Sequence, residues 1–164
     1  MRIFAAIFLS LSIACPAAFA SDGTSPSAQA LLGRIDKEGG RKVLSELLKR
    51  DNELERVVSG IESGNASWLG VAVALRPFSD AAISLSLRYA VARALPKAPN
   101  QVLALVGHGF SVEDICTSPF IEPDPGVAQA YERHALAALI NVDTPSLKPV
   151  AAECSRKLRL PAGA

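Results

Sequence analysis

Histidine occurs only twice in this chain of 164 residues, tryptophan once and tyrosine twice. So few imidazoles leave little material for proton transfer near neutral pH. Phosphate loops, the dinucleotide G-x-G-x-x-G and the zinc-protease H-E-x-x-H are all missing. The segment Gly107-His108-Gly109-Phe110-Ser111 lacks the G-x-S-x-G order of a nucleophile elbow, and no strand pattern precedes it. Charge of one sign is also lacking. The 17 basic and 16 acidic residues give +1, and such a balance does not carry the basic footprint of a nucleic-acid binder. Strand-type alternation is nearly absent, which excludes a sheet protein. Past the first twenty residues no apolar run is long enough to span a membrane, because Arg76, Asp80, Arg88 and Arg93 interrupt the candidates.

What is present begins with an export signal. Arg2 supplies a short positive region, and Ile3 to Ile13 form an apolar run broken by Ser10 and Ser12. Pro16 ends any helix, and Ala18-Phe19-Ala20 has the small-x-small pattern read by a signal peptidase. The reading is a signal peptide over 1–20, a flexible polar leader over 21–28 and a single helical domain over 29–160. Cys15 leaves a lipoprotein alternative open, although Ser12 stands where such a site usually wants leucine. Arg2 is the one charge lost on cleavage, so the mature chain is neutral. A periplasmic or secreted location follows from this reading, with no transmembrane segment after cleavage.

Periodicity in the mature chain is helical. Leu44, Leu47, Leu54, Val58 and Ile61 trace one face of a helix, or of two nearly collinear helices, with a break near Asp51 and a capping box from Asn52 to Glu55. Asn65 caps the next helix, and Ser79-Asp80 opens the most strongly patterned one, Asp80–Leu95. Ser111 to Asp114 reads as a cap, Asp124 places Pro125 at a first helical position, and Pro149 falls in the first turn of the last helix. Residues 34–56 carry thirteen charges against five over 64–110, with Glu46–Arg50 as an i,i+4 pair. The first long element is therefore expected outside and the apolar helices after it inside. The fold class is all-α: one compact domain of about seven to eight short antiparallel helices, arranged as HEAT-like hairpins.

The run Ile61-Glu62-Ser63-Gly64, Trp68-Leu69, Val71-Ala72, Asp80-Ala81-Ala82, Ala94-Leu95-Pro96, Pro99 and Val102-Leu103 resembles a family of small exported bacterial proteins of unknown function. The resemblance covers about residues 40–106, extending toward Cys116. It implies export and a helical fold, and it brings no catalytic residues.

The mature chain has two cysteines, Cys116 and Cys154. In an oxidising compartment such a pair most simply forms a disulfide. With His108 and His134 they also make up a Cys₂His₂ set, but structural zinc ligands pair about two to five residues apart. These four are spread over far wider intervals, so neither a metal nor any other cofactor is expected.

Trp68 is either core or an interface anchor. His134 lies on the stripe Val127, Tyr131, His134, Ala138 and is expected partly buried, while His108, between two glycines, is expected exposed. Glu113, Asp114, Glu122 and Asp124 gather near a proline loop and suggest glycosidase-type carboxylates or, more plainly, caps and solvated loop. The leading expectation is a non-enzymatic, exported interaction module whose partner is another exported protein. Trp68, His108, Glu113 and Asp114 are its candidate contact residues. Two alternatives stand beside it, an inhibitor or immunity-type protein and a small envelope hydrolase using Glu113–Asp124 with His108.

Overall fold

Side-chain caps set most of the element starts in the computed structural model, which describes residues 27–159. The expected signal peptide, Cys15 and most of the leader lie outside the described residues. Ser27 accepts the Ala30 N–H and opens α1 (Ala28–Glu38). Gly39, at φ 86, lets the chain turn directly into α2 (Gly40–Lys49), a backbone angle that other residues take only with strain. The break near Asp51 is present. α3 (Glu53–Glu62) starts after Asn52, which sits at φ 62 in the left-handed region. The capping box expected from Asn52 to Glu55 does not form: a left-handed Asn52 makes no side-chain cap bond.

Asn65 Oδ1 accepts the N–H groups of Ser67 and Trp68 and starts α4 (Ala66–Leu75). After a 3₁₀ turn at Arg76–Phe78, Asp80 Oδ1 accepts the Ile83 N–H at 2.9 Å and starts α5 (Ala81–Ala94). α6 (Pro99–Leu103) and α7 (Val112–Ile115) follow, the latter opened by a reciprocal Ser111–Asp114 capping box. α8 covers Val127–Ile140, and a 3₁₀ turn at Pro145–Leu147 leads into α9 (Lys148–Leu158). Asp124 does not cap through its side chain. Its carbonyl accepts the Val127 N–H, and Gly126, at φ 89, takes the N-cap place.

The protein is all-α, with nine helices among the described residues in a single domain. α4 has no charged residue and buries Leu69, Val71, Ala72 and Leu75 on several sides. It packs against α1, α2, α3, α5 and α6. Its neighbour α5 meets α3 most extensively and also touches α6 and α7, while α9 holds α7 and α8. Consecutive hairpins account for α1–α2 and α8–α9, but the broadest contacts, α3 with α5 and α1 with α4, skip along the chain. No polar or charged residue among those described is buried, so the core carries no uncompensated charge. The expected Glu46–Arg50 pair is replaced by a longer-range one: Arg34 bonds both Glu38 and Glu46. Its guanidinium fork accommodates two carboxylates at once.

Trp68 belongs to the packing. Its ring lies over Gly60 of α3 so closely that a Cβ there would sit 2.5 Å from the ring atoms. Gly60→Ala is expected to lose about 1–3 kcal/mol through overpacking, despite the better helix propensity of alanine. Adding Trp68→Ala should recover part of that loss. Urea unfolding of the two single variants and the double variant reads the coupling, and strict additivity would contradict the contact.

Candidate functional site

Arg93, Phe120 and Tyr131, distant in sequence, centre one hub. Arg93 lies in the last turn of α5, where a cation is favoured by the helix dipole. Its Nη1 donates to Glu62 Oε1 at 2.8 Å, at the end of α3, and its Nη2 donates to the Pro119 carbonyl at 2.8 Å in the proline loop. The guanidinium also stands over the rings of Phe120 (5.4 Å) and Tyr89 (6.0 Å). Phe120 meets Tyr131 of α8 edge to face at 5.6 Å. The Tyr131 hydroxyl donates to the Ala92 carbonyl of α5 at 2.9 Å, and burial pushes its phenol well above the ordinary range. The loop and α8 are thus tied to the end of α5 by aromatic and hydrogen-bond contacts.

Around this hub run three concavities. One of about 780 Å³ lies between α7, α8 and α9 and shares Phe120 and Tyr131 with a second of about 670 Å³ between α8 and the end of α5. The second shares Arg93 with a third of about 420 Å³ between α3 and α5. The stripe Val127, Tyr131, His134, Ala138 lines the α5–α8 groove. Of that stripe Tyr131 alone is buried, and the core-facing line of α8 continues through Ala135 and Leu139, while His134 is exposed rather than partly buried. Val127, an exposed large hydrophobic at 39 % exposure, lines this groove.

Cys116 and Cys154 form a disulfide, Cα to Cα 5.1 Å, which joins the end of α7 to α9. Both sulfurs are consumed, so the Cys₂His₂ set cannot offer thiolates. His108 is exposed in the turn between Val106 and Phe110. Among the described residues no three His, Cys, Asp or Glu side chains gather as a metal site.

The two carboxylates of α7 are held by cations. Asp114 completes its own cap and pairs with Arg76 at 3.3 Å; Arg88 Nε lies 2.9 Å from its other oxygen, without hydrogen-bond alignment. Arg76 also donates to the Ser84 carbonyl and stands 5.0 Å over Phe110. Asp114 therefore locks α5, α7 and the 3₁₀ turn together. Glu113 pairs with Lys157 of α9 at 2.8 Å. That pairing, joined by hydrogen bonds from the Glu113 N–H and the Ser111 side chain, lowers its pKa from 4.5 to about 2, so it is an anion at neutral pH and holds no proton to donate. Glu122 and Asp124 are exposed in the loop. Trp68 and His108 lie outside all three concavities, whereas Glu113 lines the largest.

The Glu113–Lys157 pair makes a pH prediction with a definite sign. A carboxylate whose folded pKa lies below its unfolded value contributes stability above the unfolded pKa and loses it as pH falls through the folded one. The contribution should be complete above about pH 4.5 and fade toward pH 2. Lys157→Met should flatten this limb in thermal melts collected against pH, and an unchanged acid limb would contradict the pairing.

The hub escaped the sequence reading. Arg93 appeared there only as a charge interrupting an apolar run, and its partners Glu62 and Pro119 lie 31 and 26 positions away. Its one local signal is a second cation, four positions after Tyr89 and five after Arg88, in a helix that is otherwise mostly apolar. No family model, curated protein or solved structure matches the chain.

Proposed function

We propose that the protein acts outside the cytoplasm as a non-enzymatic helical module that binds another protein through the groove between α5 and α8. The observation that carries this reading is the groove itself: lined by apolar side chains that include exposed Val127, and fixed to the scaffold by Arg93, Phe120 and Tyr131. Exposed apolar surface gathered at one concavity marks an interaction site. An inhibitor or immunity-type protein that caps an enzyme is one specific form of the same reading. Export is supported by the signal-peptide pattern of residues 1–20 together with the Cys116–Cys154 disulfide, a bond favoured in oxidising compartments.

The hydrolase reading has less support. Glu113 and Asp114 are each neutralised by a basic partner, and His108 sits in a separate turn. Crosslinking with mass spectrometry on the protein in intact cells tests the proposal. The expected products are a mature chain starting at Ser21, an intact Cys116–Cys154 bond and heterotypic crosslinks from residues of α8. Repeated recovery of the free monomer alone would count against it.

A further inference from the structure

We infer that the segment bound between α5 and α8 is an apolar stretch of a partner protein flanked by carboxylates, an inference that rests on the protein-binding reading above. The charged side chains that line this groove are Arg93 and Lys97, with His134 beside them, and neither an aspartate nor a glutamate lines it. The two adjoining concavities differ. The one against α9 mixes Glu113 and Glu132 with Lys157 and Arg159, and the one against α3 mixes Glu55 and Glu62 with Arg93. Only the α5–α8 groove presents a single sign.

Glu62 offsets Arg93, but Lys97 makes no ion pair among the described residues. Its ammonium donates to the Glu62 carbonyl at 2.7 Å. That bond uses one of its three donors and leaves the others toward solvent at the groove edge. A carboxylate placed there completes the hydrogen bonding of Lys97, while apolar side chains cover Phe120, Val127, Ala137 and Ala138 of the lining. Because the mature chain is neutral overall, this preference is local. It selects partner and register by complementary charge, and it repels a segment flanked by lysine or arginine.

The test is fluorescence anisotropy on the disulfide-intact mature protein with two labelled amphipathic peptides. Both carry leucine at helical spacing, one with glutamate between the leucines and the other with lysine. The glutamate peptide should bind about tenfold more tightly at low salt, the effect of a few partly screened charge contacts. Lys97→Glu should remove that preference and Lys97→Arg should keep it. Ala137→Trp, a change at an exposed lining position, should weaken binding of either peptide by filling the groove. Equal binding of the two peptides, binding of neither, or a preference untouched by Lys97→Glu would overturn the inference. A preference for the lysine peptide that is still lost in Ala137→Trp would overturn the partner chemistry alone and leave the groove as the binding face.

Discussion

Replacing Cys116 and Cys154 together with alanine is expected to lower the unfolding free energy by about 4 kcal/mol, the chain-entropy value for a loop of this length. The bond joins positions 38 apart and encloses the proline loop and all of α8. Its chief effect lies in the unfolded chain, where it removes conformations that must otherwise be given up on folding. The folded state adds a second contribution, because both half-cystines are buried and their removal leaves a void. α9 meets the rest of the protein mainly through α7 and α8, so the bond also fastens the last helix. A melting temperature lower by roughly 15 °C is the expected calorimetric result for a domain of this size. Reductant should lower the wild-type midpoint similarly and leave the double variant unmoved. A shift of only a degree or two in both experiments would show that the helix contacts alone hold the C-terminal third.

Leu87→Ala is the second large effect, with an expected loss of about 3–4 kcal/mol in equilibrium unfolding, near the middle of the range for buried leucines. Leu87 is fully buried on α5, and α5 is packed by α3, α4, α6 and α7. With neighbours on so many sides, the structure has little freedom to collapse into the space left behind, and the cost of a cavity grows with the volume that persists. Leu48→Ala is the matched control. It removes the same atoms from a side chain 51 % exposed on α2, and its effect should stay within about 0.5 kcal/mol. Equal losses in the two variants would contradict the placement of α5 at the centre.

The caps were legible in the sequence because they are local. Asn65, Asp80 and Ser111 each bond an N–H two or three residues ahead, and such geometry needs no tertiary partner. The break at Asp51 was legible too, but its form was not, since an asparagine such as Asn52 can either cap or turn left-handed. Asp124 and Pro125 gave way to Gly126 for a similar reason: a glycine at positive φ admits a tighter entry into α8 than the proline does. His134 shows the limit of periodicity. The stripe through it is a real face of α8, yet it borders a groove while the adjoining line through Ala135 and Leu139 enters the core. The disulfide followed from the expected compartment and needed no knowledge of the fold. Arg93, Lys97 and Phe120 became a site only when α3, the proline loop and α8 converged on the end of α5. No spacing rule reports a meeting of that kind.

Photo-crosslinking in intact cells tests the central claim, that the α5–α8 groove is the binding face, most directly. A benzophenone side chain at Ala137, exposed on the groove wall, is compared with one at Lys37, exposed on α1, a helix that packs on α2 and α4. The groove reading predicts a discrete heterotypic product from Ala137, lost when Lys97→Glu is added, and none from Lys37. A product from Lys37 alone, or equal products from both positions, would contradict it.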